Sequence, residues 1–336
     1  LMDGILLLEK QKETDHYQIQ SLPINSGVFC LKKDRFQDVV WIGTDGQGVY
    51  LYSNPLYSIK SMVLSNYTEK IERPVRAIYL DDERTFWVGT KGNGILKIYD
   101  YEFDKNISDC RAEVLTTSNS ALSSNAVYCF AKSHRNLLWI GDEEGLTYYS
   151  YREKRIKSIP IRIGNEDFKY IHDIYETADS ELWLASVGMG VVKARIAGTP
   201  DNPVIVDAQR YIINDGELRS NYFFTIYAEN EANLLFGNKG YGVFRYNETT
   251  NGLEPVSTHK YENMTLNNIL AISKDSSNNY LFGTSYGLIK YTSETSYQLF
   301  NAKNGFLNNT IHAILRNSSD DFWLSTNLGL INFDTK

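Results

Sequence analysis

The chain has 336 residues, of which 42% are hydrophobic, 13% aromatic and 22% charged. That is enough apolar material for a packed core and excludes a wholly disordered polymer. Lys and Arg number 34 against 41 Asp and Glu, a formal net charge of −7, so no overall positive field draws in nucleic acid or anionic lipid.

The longest apolar runs, such as Ile5 to Leu8, fall far short of the ~18–20 residues a membrane helix needs. In chain order, residues 4–8 and 17–22 read as two short strands, and a repeat then begins. Its landmark is the series Trp41-Ile-Gly-Thr, Trp87-Val-Gly-Thr, Trp139-Ile-Gly-Asp, Trp183-Leu-Ala-Ser, Leu235-Phe-Gly-Asn, Leu281-Phe-Gly-Thr and Trp323-Leu-Ser-Thr, spaced 46, 52, 44, 52, 46 and 42 residues apart. A period of this size marks a propeller or solenoid. Twelve or thirteen residues before each landmark another strand starts, at Val28, Val75, Val127, Ile171, Phe223, Ile269 and Ile311. Six or seven residues after it comes Gly48, Gly94, Gly145, Gly190, Gly242, Gly287 or Gly329, free to take the positive φ of a tight hairpin into a third strand.

Constant inner spacings and variable outer connections are expected of a four-stranded blade whose inner strands crowd round an axis. The third residue of each first strand (Cys30, Ala77, Cys129, Asp173, Thr225, Ala271, Ala313) is small or modest in volume, as a narrow axis requires. Cys30 and Cys129 are thereby packing residues, and with Cys110 they show no spacing for a zinc site or a disulfide framework. The last repeat, from Ile311 to about Phe333, offers three strands only. Residues 1–22 are expected to supply what it lacks. The predicted fold is therefore all-β: one seven-bladed β-propeller of four-stranded antiparallel blades spanning 1–336, closed by N-terminal strands that complete the last blade and leave no inner edge unpaired.

The repeat resembles that of the two-component regulator propellers, the periplasmic sensor regions of bacterial hybrid two-component systems. The matching residues are Leu122 to Asn125 with Val127 and Phe130, Leu218 to Asn221, Leu266 to Asn268 with Ile269 and Ile272, and Leu307 to Thr310 with Ile311 and Ile314. In the third strand they are Gly145-Leu146, Gly287 to Tyr291 and Gly329-Leu330. Leu235 and Leu281 depart from the Trp of the pattern. The resemblance implies a periplasmic, ligand-sensing part of a larger inner-membrane histidine kinase, with an oligosaccharide as signal, control of glycan-utilisation genes as output, and a homodimer as the signalling unit. It also implies a second propeller and a β-sandwich elsewhere in the polypeptide. Two other classes stay open: a protein-binding propeller scaffold, and a propeller glycan hydrolase or lyase.

No catalytic, cofactor or metal motif is legible. The five histidines (His16, His134, His172, His259, His312) are dispersed, and Gly46-Gln-Gly48 and Gly92-Asn-Gly94 lack the helix and lysine of a phosphate loop. The acidic groups Asp81-Asp82, Asp142-Glu143-Glu144 and Asp320-Asp321 fall in turns, where solvated charge is the ordinary reading. Binding residues are sought in the loops before the first strands and at the second-to-third strand hairpins. Two residues before the first strand, Asn predominates, but Arg73 and Lys169 bring charge; one residue into it stand Arg76 and His172; the hairpin tips add Tyr241 and Tyr286. These six residues form the expected ligand site. Aromatic faces and fixed donors suit a sugar ring, and the cations suit an acidic one.

Overall fold

The structure is a computed structural model that describes residues 5–10, 17–22, 24, 26–34, 39–53, 59–62, 73, 75–100, 110–213, 221–256, 267–293, 296–304, 306, 309–316, 320–326 and 329–335. His16 and His259 lie outside them. The regular structure is almost wholly β. Strands β1 (Ile5–Lys10) and β2 (Tyr17–Leu22) form a two-stranded sheet. Next come three four-stranded sheets: β3 (Val28–Lys33), β4 (Val39–Thr44), β5 (Val49–Ser53) and β6 (Ile59–Met62); β7 (Val75–Leu80), β8 (Phe86–Thr90), β9 (Ile95–Ile98) and β10 (Ala112–Leu115); and β11 (Val127–Lys132), β12 (Leu137–Asp142), β13 (Leu146–Ser150) and β14 (Arg155–Ile159). A small hairpin, β15 (Arg162–Ile163) with β16 (Glu166–Asp167), separates these from β17 (Ile171–Glu176), β18 (Glu181–Ser186), β19 (Gly190–Thr199) and β20 (Asn202–Tyr211). Then follow β21 (Phe223–Asn230), β22 (Asn233–Asn238), β23 (Gly242–Asn247) and β24 (Gly252–Pro255), and β25 (Ile269–Lys274), β26 (Tyr280–Thr284), β27 (Gly287–Ser293) and β28 (Ser296–Phe300). The chain ends in a three-stranded sheet, β29 (Ile311–Arg316), β30 (Asp321–Thr326) and β31 (Gly329–Asp334).

The four-stranded blade thus forms six times, not seven. The expectation that the N-terminal strands complete a seventh is overturned: β1 and β2 pair with each other, from Ile5↔Leu22 to Lys10↔Tyr17, and although β1 lies alongside β31, the two belong to separate sheets. A local hairpin closes a short loop, whereas pairing with β31 closes one of more than 300 residues, at a greater cost in chain entropy. The sheets fall into two compact units, residues 1–75 with 259–336 and residues 76–258.

Within each blade the strands run as an antiparallel meander. The hairpin glycines take the expected conformation, with φ of 83° at Gly48, 75° at Gly94 and 87° at Gly190. The glycine of the Trp-Ile-Gly-Thr strand has another cause. A Cβ on Gly141 would lie 2.5 Å from Cys129 Sγ and 2.7 Å from the carbonyl oxygen of Ile171 in the next sheet, so absence of a side chain lets adjoining sheets close up.

Trp41, Trp87, Trp139 and Trp183 are at most 2% exposed. Burying an indole leaves an N–H needing an acceptor, and turn carboxylates supply it: Trp41 Nε1 donates to Asp34 Oδ2 (3.0 Å) and Trp87 Nε1 to Asp81 Oδ2 (2.9 Å). Asp81 is 1% exposed, and Asp142 and Asp320 are buried as well; these acidic turn residues are structural acceptors, not the solvated charges expected of them. Between β9 and β13, buried Lys97 donates to Tyr149 Oη (2.6 Å) and sits 4.0–4.7 Å from the ring centroids of Trp87, Tyr99 and Tyr149. Burial holds its pKa down to about 8 despite Glu113 and Asp81.

Candidate functional site

The first strand of the blade carries a bulge at its second residue. Ladder registers jump from the first to the third residue in β3, β11, β17, β21, β25 and β29. A bulge takes one residue out of the ladder and re-aims its side chain. In the unit of residues 76–258 the bulge residues are Tyr128, His172 and Phe224, and Arg76 holds the same position in β7. Tyr128 and His172 stack with centroids 4.3 Å apart and planes 16° apart, and Phe224 meets the imidazole edge-on at 5.5 Å. In the other unit Phe29 and His312 occupy bulge positions with centroids 5.7 Å apart.

Burial between these rings, with the positive charges of Arg76 and Lys91, holds the His172 pKa down to about 4. The imidazole is therefore neutral at ordinary pH and presents one donor and one acceptor. Asp173, the next residue, fixes the strand: its Oδ1 accepts from Ile174 N (2.9 Å) and its Oδ2 from Ile226 N (2.7 Å) in β21.

A cavity of about 290 Å³ lies where the start of β13, the end of β14 and the β15–β16 hairpin meet, with walls that include Ser123, Glu144, Ser158, Arg162, Asp167 and Lys169. Its charges are paired. Lys169 Nζ lies 2.5 Å from Glu144 Oε2, and Arg162 Nε donates to Asp167 Oδ1 at 2.8 Å. Behind it Asp142 is fully buried and accepts from Ser123 Oγ (2.6 Å), Glu144 N (2.9 Å) and Gly145 N (3.0 Å). Burial pushes its carboxyl up to about 6, against the pull of those hydrogen bonds.

Of the six residues singled out from sequence, Arg76, Lys169, His172 and Tyr241 belong to the unit of residues 76–258, and Arg73 and Tyr286 to the other. Arg76 and His172 come close enough to interact electrostatically. Lys169 stands on the cavity wall with its charge matched by Glu144. Tyr241 is half-buried and packs on the cluster around Trp183 and Phe236. Arg73 is exposed, and Tyr286 is half-buried with its backbone N–H bonded to Thr284 Oγ1. Tyr128 and Phe224 share the repeat position of His172 but are not among the six residues expected of the site, and Glu144, expected to be solvated turn charge, is the counter-ion of Lys169. Among the described residues no group of His, Cys, Asp or Glu is arranged to hold a metal ion.

No family model matches the sequence. Translation initiation factor 6 of Saccharolobus solfataricus is 31% identical over 140 residues, which are 38% of this chain and 57% of that protein; the match spans too little of either to indicate a common family. Solved structures cover far more. The extracellular domain of a B. thetaiotaomicron protein described as a hybrid two-component system superposes with a TM-score of 0.67 at 19% identity, over 99% of this chain and 40% of that one. Virginiamycin B lyase of Staphylococcus aureus gives 0.67 at 13% identity over 98% of both, and the WD40 β-propeller domain of Doa1 gives 0.60 at 11% over 93% of this chain and 98% of the other. The fold is a β-propeller. At these identities the likeness is one of fold. The propeller described here spans about two-fifths of the length of the B. thetaiotaomicron domain, and none of its helices among the described residues is long and apolar enough to cross a membrane.

Proposed function

We propose that this propeller is an extracytoplasmic ligand-sensing module of the hybrid two-component kind, that its signal is an oligosaccharide, and that the signal docks where Arg76, Tyr128 and His172 gather. The reading rests on one observation above others: a neutral imidazole stacked on a tyrosine beside an arginine, at a strand bulge. Sugar faces stack on aromatic rings, and their hydroxyls require fixed donors and acceptors of both kinds. Pairing of Lys169 with Glu144 offsets the charge of that lysine, which weakens the case for an acidic sugar, and the class proposed is neutral. In this reading the propeller binds and does not turn over its ligand, and the kinase output belongs to other parts of the polypeptide. The similarity to a lyase is one of fold alone and brings no reaction with it.

The test is calorimetric titration of neutral and uronic-acid oligosaccharides into the wild type, Tyr128→Leu and His172→Leu. Neutral sugars should bind, and each variant should weaken binding about tenfold, or ~1.4 kcal/mol. Full affinity in both variants, or binding confined to the acidic sugars, contradicts the reading; hydrolysis or elimination products in the cell contradict its non-catalytic part.

A further inference from the structure

At the opposite ends of the strands, between sheets β17–β20 and β21–β24, the protein carries a second recess. Strands β19 and β20 are ten residues each, while β23 and β24 facing them have six and four. The mismatch leaves the outer half of the longer hairpin without a counterpart. Two cavities of about 300 and 260 Å³ result, and they share Glu181, Lys193 and Tyr246, so they form one trough. Each approaches the size of small-ligand sites in general.

An aromatic corner forms the inner wall. Trp183 and Tyr246 meet edge-on at 4.7 Å and Tyr211 and Tyr246 at 5.4 Å, while both tyrosine hydroxyls donate to Asn251 Oδ1 (2.8 and 3.1 Å), which fixes the rings. One ammonium group already sits there: Lys193 Nζ is 5.4 Å from the centroids of Trp183 and Tyr246 and 2.9 Å from Glu181 Oε1. The rim carries four further carboxylates, Asp179, Asp207, Glu231 and Glu248, against a single further cation, Arg195. Among the described residues none of the four has an ion-pair partner, and Glu231 is oriented by a 2.8 Å bond from Ala178 N across the end of the trough. Faces of aromatic rings attract cations, most strongly where water is excluded, and nearby carboxylates add Coulomb attraction.

We infer that this trough is a second binding site, for an organic cation bearing spaced ammonium groups, separate from the oligosaccharide site and independent of it. The cation would lie along the rim carboxylates with one ammonium against Tyr246, repeating the environment of Lys193. A free polyamine and a lysine-bearing peptide share this chemistry.

The experiment titrates spermidine, trilysine and a neutral trisaccharide into the full chain at about 0.05 and 0.15 M salt. Spermidine or trilysine should bind at one site and weaken at higher salt; tighter spermidine points to a free polyamine, tighter trilysine to a peptide. Tyr246→Leu should weaken binding about three- to tenfold, Tyr246→Phe should leave it intact, and Glu231→Gln with Glu248→Gln should weaken it at least as much as Tyr246→Leu. The control Glu83→Gln with Asp100→Asn removes the same two charges elsewhere in that unit. Three results would each overturn the inference: no saturable binding of either amine, equal weakening by the control pair, or binding of the neutral trisaccharide alone at Tyr246.

Discussion

Trp139 Nε1 donates a 2.6 Å hydrogen bond to Glu176 Oε2, so the buried indole of one blade is capped by a carboxylate of the next. Trp41 and Trp87 take their acceptors from the first turn of their own blade. Glu176 is 5% exposed and also receives the backbone N–H of His134 (3.3 Å), while Arg135 Nε lies 3.8 Å away.

Glu176→Ala therefore strands a buried donor and should cost about 1–3 kcal/mol of unfolding free energy. Glu176→Gln keeps an acceptor and should cost less. Urea unfolding measures both. Equal losses, or none for the alanine variant, would mean that the cap contributes nothing.

Gly141→Ala should destabilise by about 1–3 kcal/mol through overpacking, because its Cβ has no room against Cys129 and Ile171. At Gly252, where the nearest atom to a built Cβ is 3.8 Å away, alanine should stay within about 0.5 kcal/mol of wild type. Thermal unfolding of the two variants checks the contrast; similar melting temperatures would refute the close approach of the blades.

Asp142 gives a pH signature of known sign. Its carboxyl titrates near 6 in the folded protein against an ordinary 3.8, so the folded state holds the extra proton between those values. The resulting stability is complete below about pH 4 and is lost as pH rises through 6, by up to about 3 kcal/mol at 1.36 kcal/mol per pKa unit. Asp142→Asn retains an oxygen for the N–H groups of Glu144 and Gly145 and abolishes the titration. Wild-type stability should fall relative to this variant from pH 4 to pH 7; parallel curves would contradict the raised carboxyl.

Much of the fold was legible because it is periodic. Anchor tryptophans, hairpin glycines and constant inner spacings announced repeated four-stranded units, and those units are present. The count went wrong at the chain ends, where a short apolar segment such as Ile5–Lys10 can pair with any exposed edge and only the competition between a local hairpin and a distant partner decides. The site was half legible. Arg76 and His172 stand out by residue type, but the bulge that turns Tyr128, His172 and Phe224 toward one another is a register shift with no compositional mark. The pairing of Lys169 was not legible for a related reason: its partner, Glu144, lies 25 residues away and meets it only in the folded chain. Spacing did hold one unread signal, since Asp34 and Asp81 precede their tryptophans by seven and six residues.

Nuclear magnetic resonance of the His172 imidazole during titration with a neutral oligosaccharide tests the central claim most directly. In the free protein this ring should titrate near pH 4, far below an ordinary histidine. At neutral pH its resonances should shift saturably with added sugar, with the midpoint found by calorimetry, and the shift should vanish in Tyr128→Leu. Sugar that binds by calorimetry while the His172 resonances stay unmoved would contradict the account and place the signal elsewhere on the propeller.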